Sequence, residues 1–439
     1  MQSLKLFKWT NWRLAAVLVS VAVALSLPAA PGLAVAPNPP PFGMLCTTNG
    51  SGTPYAAFTL TALSGTISLS DGNTMYMWGY SEGGHVFQHP SPTLCVTQGQ
   101  TVTVVLHNTL NVPVSVMFPG QPDVLANGRP VQPEYTAGAL TSLVPTAPPG
   151  GDVTYDFVAK EPGTYLYESG TDAATQVQMG LFGALVVRPT LGVNYAYNRT
   201  ESRFNPATEF LMELSAIDPY QHQAVQAGRA FDIRQFRPRY WMLNGRSLPD
   251  TLYPNYAPLS PFQPYSALAR IHPYDAATNQ WPALTRHVSV TPVDVPFHPH
   301  GNNGLVIARD GRYLQDGAGN NLAYSKFSMD IGPGQTWDTL YTWADIDGFA
   351  SGTHKVSDEV TIPSELNLTY GMLYSGSPYL GDLAAMPPGT FSMNACGEYY
   401  IISHSHALNQ VTAWGQGLTM QGMGTFLRVD PPLPNSCPN

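Results

Sequence analysis

The run "TVTVVLHN", Thr101–Asn108, is bounded by "QGQ" on one side and "TLNVP" on the other. It places Val102, Val104 and Leu106 on one face of an extended chain, because successive side chains of a strand point to opposite sides. Similar short runs recur along the sequence, among them "GALVVRP", each cut off by Gly, Pro or Asn. With 40 Gly, 41 Pro and only 11% charged residues, the chain has frequent turn formers and few of the charged faces that long surface helices carry. The pattern predicts an all-β protein of short strands, built as a sandwich or barrel.

At 439 residues the chain is long enough for more than one core. We expect a first β domain over 55–190 and a second over 205–430. A Pro-rich entry segment (37–54) precedes them and a short tail (431–439) follows. Residues 351–388 lack clear periodicity and read as an insertion in the second domain. The halves echo one another: "GTYLYESG" and "GEYYIISHSH" each lead through a Gly-rich turn to a closing strand.

Residues 1–36 read as an export signal. Lys5, Lys8 and Arg13 precede the apolar run from Leu14 to Leu27, and small residues follow, with cleavage expected after Ala34 or Ala36. That run is shorter than the roughly 20 residues a membrane-spanning helix needs, so no stable membrane span is expected after cleavage. A secreted, periplasmic or extracellular location follows. Removing the signal would shift the formal net charge from −9 to −12, since it carries three cations and no acid. An acidic balance argues against a nucleic-acid partner. The four cysteines, Cys46, Cys95, Cys396 and Cys437, lack zinc-site spacing and suit two disulfides. A Cys396–Cys437 bridge would tie the tail to the strand before the last histidine pair, leaving Cys46 with Cys95.

The chemistry concentrates in two short motifs of the second domain, "FHPHGNNG" and "SHSHALNQ". On extended strands His298 and His300 share one face, as do His404 and His406. Two such strands side by side would converge four imidazoles, which are good ligands for copper or zinc when neutral. The remaining histidines, His85, His89, His107, His222, His272, His287 and His354, are scattered and read as surface or packing residues. No G-x-S-x-G elbow, P-loop or dinucleotide fingerprint is present.

Both halves resemble the multicopper oxidase family, whose domains are cupredoxin-like Greek-key β-sandwiches. In the first, "MWGYSEGGHVFQHPSPTLCVTQGQTVTVVLHN" is similar to the family's opening strands, and "GTYLYESGTDAATQVQMGLFGALVVRP" to its closing ones. In the second, "FHPHGNNG", "SMDIGPGQTWDTLYTW" and the "SHSHALNQ…MQGMG" tail resemble the family's H-P-x-H, P-G-x-x-x-D and H-C-H-x-x-x-H stretches. The two-domain layout resembles two-domain laccases and copper nitrite reductases, which implies a homo-oligomer, a trimer by that likeness.

Carried over residue by residue, the resemblance implies a partial ligand set. His298, His300, His404 and His406 match histidine positions. In the first domain Met117 and Pro119 stand at one pair of positions and Glu168 and Gly170 at the other, so Met117 and Glu168 are candidate auxiliary ligands. The thiolate position of the blue copper is Ser405, its upstream histidine falls at Val295 and its downstream one near Asn409 or Gln410. Met420 or Met423 stands at the axial position. A serine hydroxyl cannot replace a thiolate as ligand and electron conduit. The expectation is an exported copper-binding protein with one residual four-histidine site and no conventional laccase activity. An active copper oxidoreductase with a non-standard ligand set, and a metal-free interaction protein on the same scaffold, are the alternatives. Copper is the expected metal, with zinc as the other candidate, and no catalytic residue is assigned.

Overall fold

A computed structural model describes residues 40–48, 55–83, 86–343, 358–359, 374–375, 398–412 and 421–430. The signal, the 351–388 insertion apart from two residue pairs, the Cys396–Cys437 bridge and Met420 lie outside the described residues. Apart from two α-helices, Ala173–Met179 and Pro219–Gln226, and single 3-10 turns, the regular structure described is strand. None of the described helices is long and apolar enough to cross a membrane.

The alternation at Thr101–Asn108 is realised as expected: Val102, Val104 and Leu106 are fully buried, while the intervening residues are partly exposed. This strand lies inside a six-stranded sheet, between Tyr55–Ser68 and Asp152–Val158. A three-stranded sheet of Gly163–Glu168, Phe182–Arg188 and Leu94–Thr97 accompanies it. The first core includes Phe58 and Leu60 from the larger sheet and Tyr167 and Leu185 from the smaller. Cys46 is disulfide-bonded to Cys95.

The second half repeats this plan. Its seven-stranded sheet runs through Tyr240–Leu243, Glu209–Ile217, Ala283–Ser289 and Thr336–Tyr341, and its five-stranded sheet through Ala269–Ile271, Gly424–Val429, Tyr399–Ser405, Val295–Pro299 and Met329–Ile331. In each larger sheet the leading strand pairs antiparallel with the next strand and parallel with a later one: Tyr55–Ser68 with Thr101–Asn108, and Glu209–Ile217 with Ala283–Ser289. In each smaller sheet the strand that ends the domain lies antiparallel to one neighbour and parallel to the other. The equivalence places Gly163–Glu168 where the second half has Tyr399–Ser405. The echo between "GTYLYESG" and "GEYYIISHSH" is therefore topological.

A buried polar network joins the halves. Arg286 Nε donates to Glu209 at 2.7 Å, and its Nη1 to Thr164 Oγ1 at 2.9 Å and to Asp338 at 3.4 Å. Thr164 donates to Asp338 at 2.6 Å, and Arg188 donates to Glu209 at 2.6 Å. Every charge in this set faces an opposite one, which is what makes its burial tolerable.

Candidate metal centre

Strand Val295–Pro299 pairs antiparallel with Tyr399–Ser405, in a register that sets His298 opposite His404. The ladder extends past both ends, with His300 N–H donating to Ile402 O at 3.0 Å and His406 N–H to Pro296 O at 2.8 Å. The alternation of a strand then decides the faces. Val295, Phe297 and Ile401 belong to the second core, and Ser403 and Ser405 are buried with them. His298, His300, His404 and His406 take the outer face; His404 is buried, His298 partly covered, and His300 and His406 are exposed.

The rings are gathered. Centroids lie 4.6 Å apart for His298–His300, 5.1 Å for His300–His404, 5.3 Å for His298–His406, 5.8 Å for His404–His406 and 5.9 Å for His298–His404. With metal–nitrogen bonds of about 2.0–2.1 Å, imidazoles on one ion have centroids about 4.5–6.4 Å apart, from right-angled to opposed placement. His300 Nε2 and His404 Nε2 are 3.0 Å apart, close to the roughly 2.9 Å of two such bonds at a right angle. Among the described residues no group of three or more His, Cys, Asp or Glu side chains already stands in metal-holding geometry. The rings share a neighbourhood, and one pair of nitrogens is in contact.

Tautomers are set by the backbone. His298 Nδ1 is 2.6 Å from Phe327 O, and His404 Nδ1 is 2.6 Å from Ser405 O. A carbonyl only accepts, so both Nδ1 atoms carry the proton and both Nε2 atoms keep a lone pair. Backbone carbonyls orient metal-binding histidines in this way. Burial lowers the pKa of His300 and His404, and the neighbouring imidazoles lower them further. At His404 the bond to Ser405 O opposes the shift without reversing it. His300 and His404 are thereby biased towards the neutral imidazole, the form that ligates.

Ser405 points the other way. Its hydroxyl donates to Gln410 Oε1 at 2.5 Å, and Gln410 Nε2 donates to Asp294 O at 2.9 Å. Gln410, Val295 and Met423 are all buried at this end of the second half. On the core side of the ladder the Ser405 hydroxyl and the Gln410 amide are thus taken up by hydrogen bonds.

Met117 and Glu168 are bridged in the first half by two backbone bonds, Met117 N–H to Glu168 O at 2.8 Å and Glu168 N–H to Met117 O at 3.2 Å. Given the shared topology, this pair stands where the second half has His298 opposite His404. Burial pushes the Glu168 carboxyl up to about 7. Neither residue belongs to the sheet that carries the four rings. Sequence reading missed the carbonyl of Phe327, whose side chain is 64% exposed and lies edge-on to His298; a backbone acceptor leaves no mark in sequence.

Residues 64–191 match the multicopper oxidase family. They form a multicopper oxidase domain. Solved structures extend the likeness of fold to most of the chain. The blue copper oxidase from Nitrosomonas europaea is 17% identical, with 85% of each chain covered and a TM-score of 0.56. The multicopper oxidase mgLAC is also 17% identical, with 85% of each chain covered and a TM-score of 0.55. A Cu-containing nitrite reductase from Thermus scotoductus is 17% identical, covering 85% of this chain and 62% of that one at a TM-score of 0.50. At such identities the likeness is one of fold. The multicopper oxidase domain is thus followed by a second half with which it forms the cupredoxin-like, all-β architecture of these proteins. No curated protein matches the chain by sequence.

Proposed function

We propose that this chain is an exported copper-binding protein on a multicopper-oxidase scaffold, holding a single ion with His298, His300, His404 and His406. The observation that carries the reading is the pairing of His298 with His404 in one ladder, each with Nδ1–H committed to a carbonyl and its Nε2 lone pair turned to the outer face, where His404 Nε2 meets His300 Nε2 at 3.0 Å. Four imidazole nitrogens without a nearby thiolate suit copper, and zinc second. When bound, copper would supply one-electron redox chemistry. The chain's own residues supply imidazole donors, fixed tautomers and an open approach past the exposed His300 and His406.

The thiolate centre is absent from this proposal. Ser405 and Gln410 occupy each other, and Val295 has no donor atom. Conventional laccase turnover, which needs an electron-entry centre and several coppers, is therefore not proposed. Export rests on the leader sequence and on the Cys46–Cys95 disulfide, which suits an oxidising compartment.

The test is copper titration of the purified chain, followed by elemental analysis and electron paramagnetic resonance. One copper per chain with nitrogen hyperfine structure and no intense blue absorption is expected. No retained metal would leave only the scaffold. Steady oxygen consumption with a phenolic donor would favour an active oxidoreductase with a non-standard ligand set.

A further inference from the structure

Four of the chain's 20 Lys and Arg residues, Arg229, Arg234, Arg237 and Arg239, lie between positions 229 and 239, in a protein of net charge −9. All four are exposed. Asp232 pairs with Arg234 at 2.8 Å. The nearby Asp218 carboxylate is taken up by backbone, accepting from Tyr220 N–H at 2.9 Å and from Arg237 N–H at 2.6 Å. Among the described residues no carboxylate pairs with the guanidinium of Arg229, Arg237 or Arg239. The overall acidity of the sequence hides this strip, because it is a local property.

Beside it lies an open groove of about 350 Å³, lined by Ala174, Val177, Ile233, Phe236, Val290 and Pro292 among others. One wall is the helix Ala173–Met179, another the turn Ile233–Gln235 from the arginine strip itself, and the third follows strand Ala283–Ser289. Ile233 is 51% exposed on this groove. Arg234 and Arg237 adjoin the wall residues Ile233 and Phe236 in sequence, and the Arg237 guanidinium donates to Phe236 O at 2.6 Å, so one segment supplies both the apolar recess and exposed cations beside it.

We propose that this groove and rim dock an acidic segment of a partner protein, one large apolar side chain of which enters the groove while its carboxylates meet the arginines. The size suits one such side chain, at the small end of recognition pockets. A single small anion would need one guanidinium; a strip of arginines with one internal carboxylate suits a run of acids. The recess is concave, which suits a side chain entering it; a membrane-inserting surface needs apolar groups that project. The proposal is independent of metal binding.

The test is fluorescence anisotropy of the full chain with a labelled acidic peptide, glutamates flanking a central Leu-Phe. Two control peptides carry Gln for Glu, or Ser-Ser for Leu-Phe. Saturable binding is expected that weakens at least tenfold for each control, with added salt, and in the doubly reversed R234E/R237E variant. A174R, which fills the groove from the helix, should abolish it; circular dichroism of both variants checks that they fold. No saturable binding, equal affinity for the Gln peptide, or unchanged affinity in the folded variants would overturn the proposal. So would a stronger response to vesicles of anionic phospholipid or to dodecanoate than to the peptide, pointing to a lipid surface or a small amphiphile instead.

Discussion

His298 stands directly across the antiparallel ladder from His404, and each ring donates its Nδ1 proton to a carbonyl of its own surroundings, Phe327 O and Ser405 O. The two Nε2 lone pairs are thereby presented on the same outer face, with His300 and His406 beside them.

Removing one ring of this pair should remove most of the metal affinity while sparing the fold, because the four rings lie outside the core. His404→Ala and His298→Ala are each expected to weaken copper binding at least about a hundredfold, since losing even a partner that only orients a ligating ring costs roughly 10–100-fold. Competition titration against a chelator of known affinity reads this directly. Parent-like affinity in both variants would remove the site assignment.

Much of this arrangement was legible in the sequence. Period-two runs between Gly and Pro gave the strands, because burial of one face demands that spacing. Alternation put both H-x-H pairs on single faces. Their convergence required a pairing register that only the folded ladder supplies. The Phe327 acceptor, the Ser405–Gln410 contact and the arginine rim were not legible, since each depends on a backbone atom or on residues brought together by turns.

Ser405 should matter for stability more than for metal. Its hydroxyl is the donor to buried Gln410 Oε1. Ser405→Ala leaves that acceptor without its partner, at a cost of about 1–3 kcal/mol. The urea midpoint should fall accordingly, with copper stoichiometry unchanged. Ser405→Cys should give no intense blue band on copper loading, because Gln410 and Val295 remain beside it. A blue band from that single change would show that the pocket still supports a thiolate centre.

Acid should act on stability through three buried histidines. Burial lowers His89 to about 3 and His222 and His287 to about 4, below the usual 6.5. As pH falls from 6.5 towards 4 the unfolded chain takes up protons at these positions and the folded one does not. Their contribution to stability is therefore fully present above 6.5 and declines below it, by up to about 1.4 kcal/mol per pH unit for each histidine. Glu168, pushed up to about 7, and Glu213, also raised by burial, work in the opposite sense over this range, so the change in the urea midpoint of metal-free protein is the histidine loss less that gain. His287→Gln should reduce that loss by one histidine's share; an identical slope in parent and variant would refute the assignment.

Arg286 should be costly to remove. It is fully buried, and its guanidinium reaches Glu209 and Asp338 as well as Thr164. Burial alone would raise the Glu209 carboxyl, but Arg286 and Arg188 together outweigh it and hold its pKa below the usual value. Glu209 stays charged through the neutral range, and its contribution is lost only as pH falls through that lowered value. Arg286→Ala removes the cation from between two buried carboxylates, and Arg188, at the margin of the network, reaches only Glu209. Breaking a buried pair from one side costs about 3–5 kcal/mol, because the remaining charge is left without compensation. Arg286→Met should cost a similar amount, despite keeping the apolar bulk, since it also leaves Glu209 and Asp338 facing no guanidinium from strand Ala283–Ser289. The triple variant Arg286→Met/Glu209→Gln/Asp338→Asn should recover part of the loss by discharging both acids. Urea unfolding of the three proteins measures this, and near-parental stability of Arg286→Ala would mean that the network does not hold the two halves together.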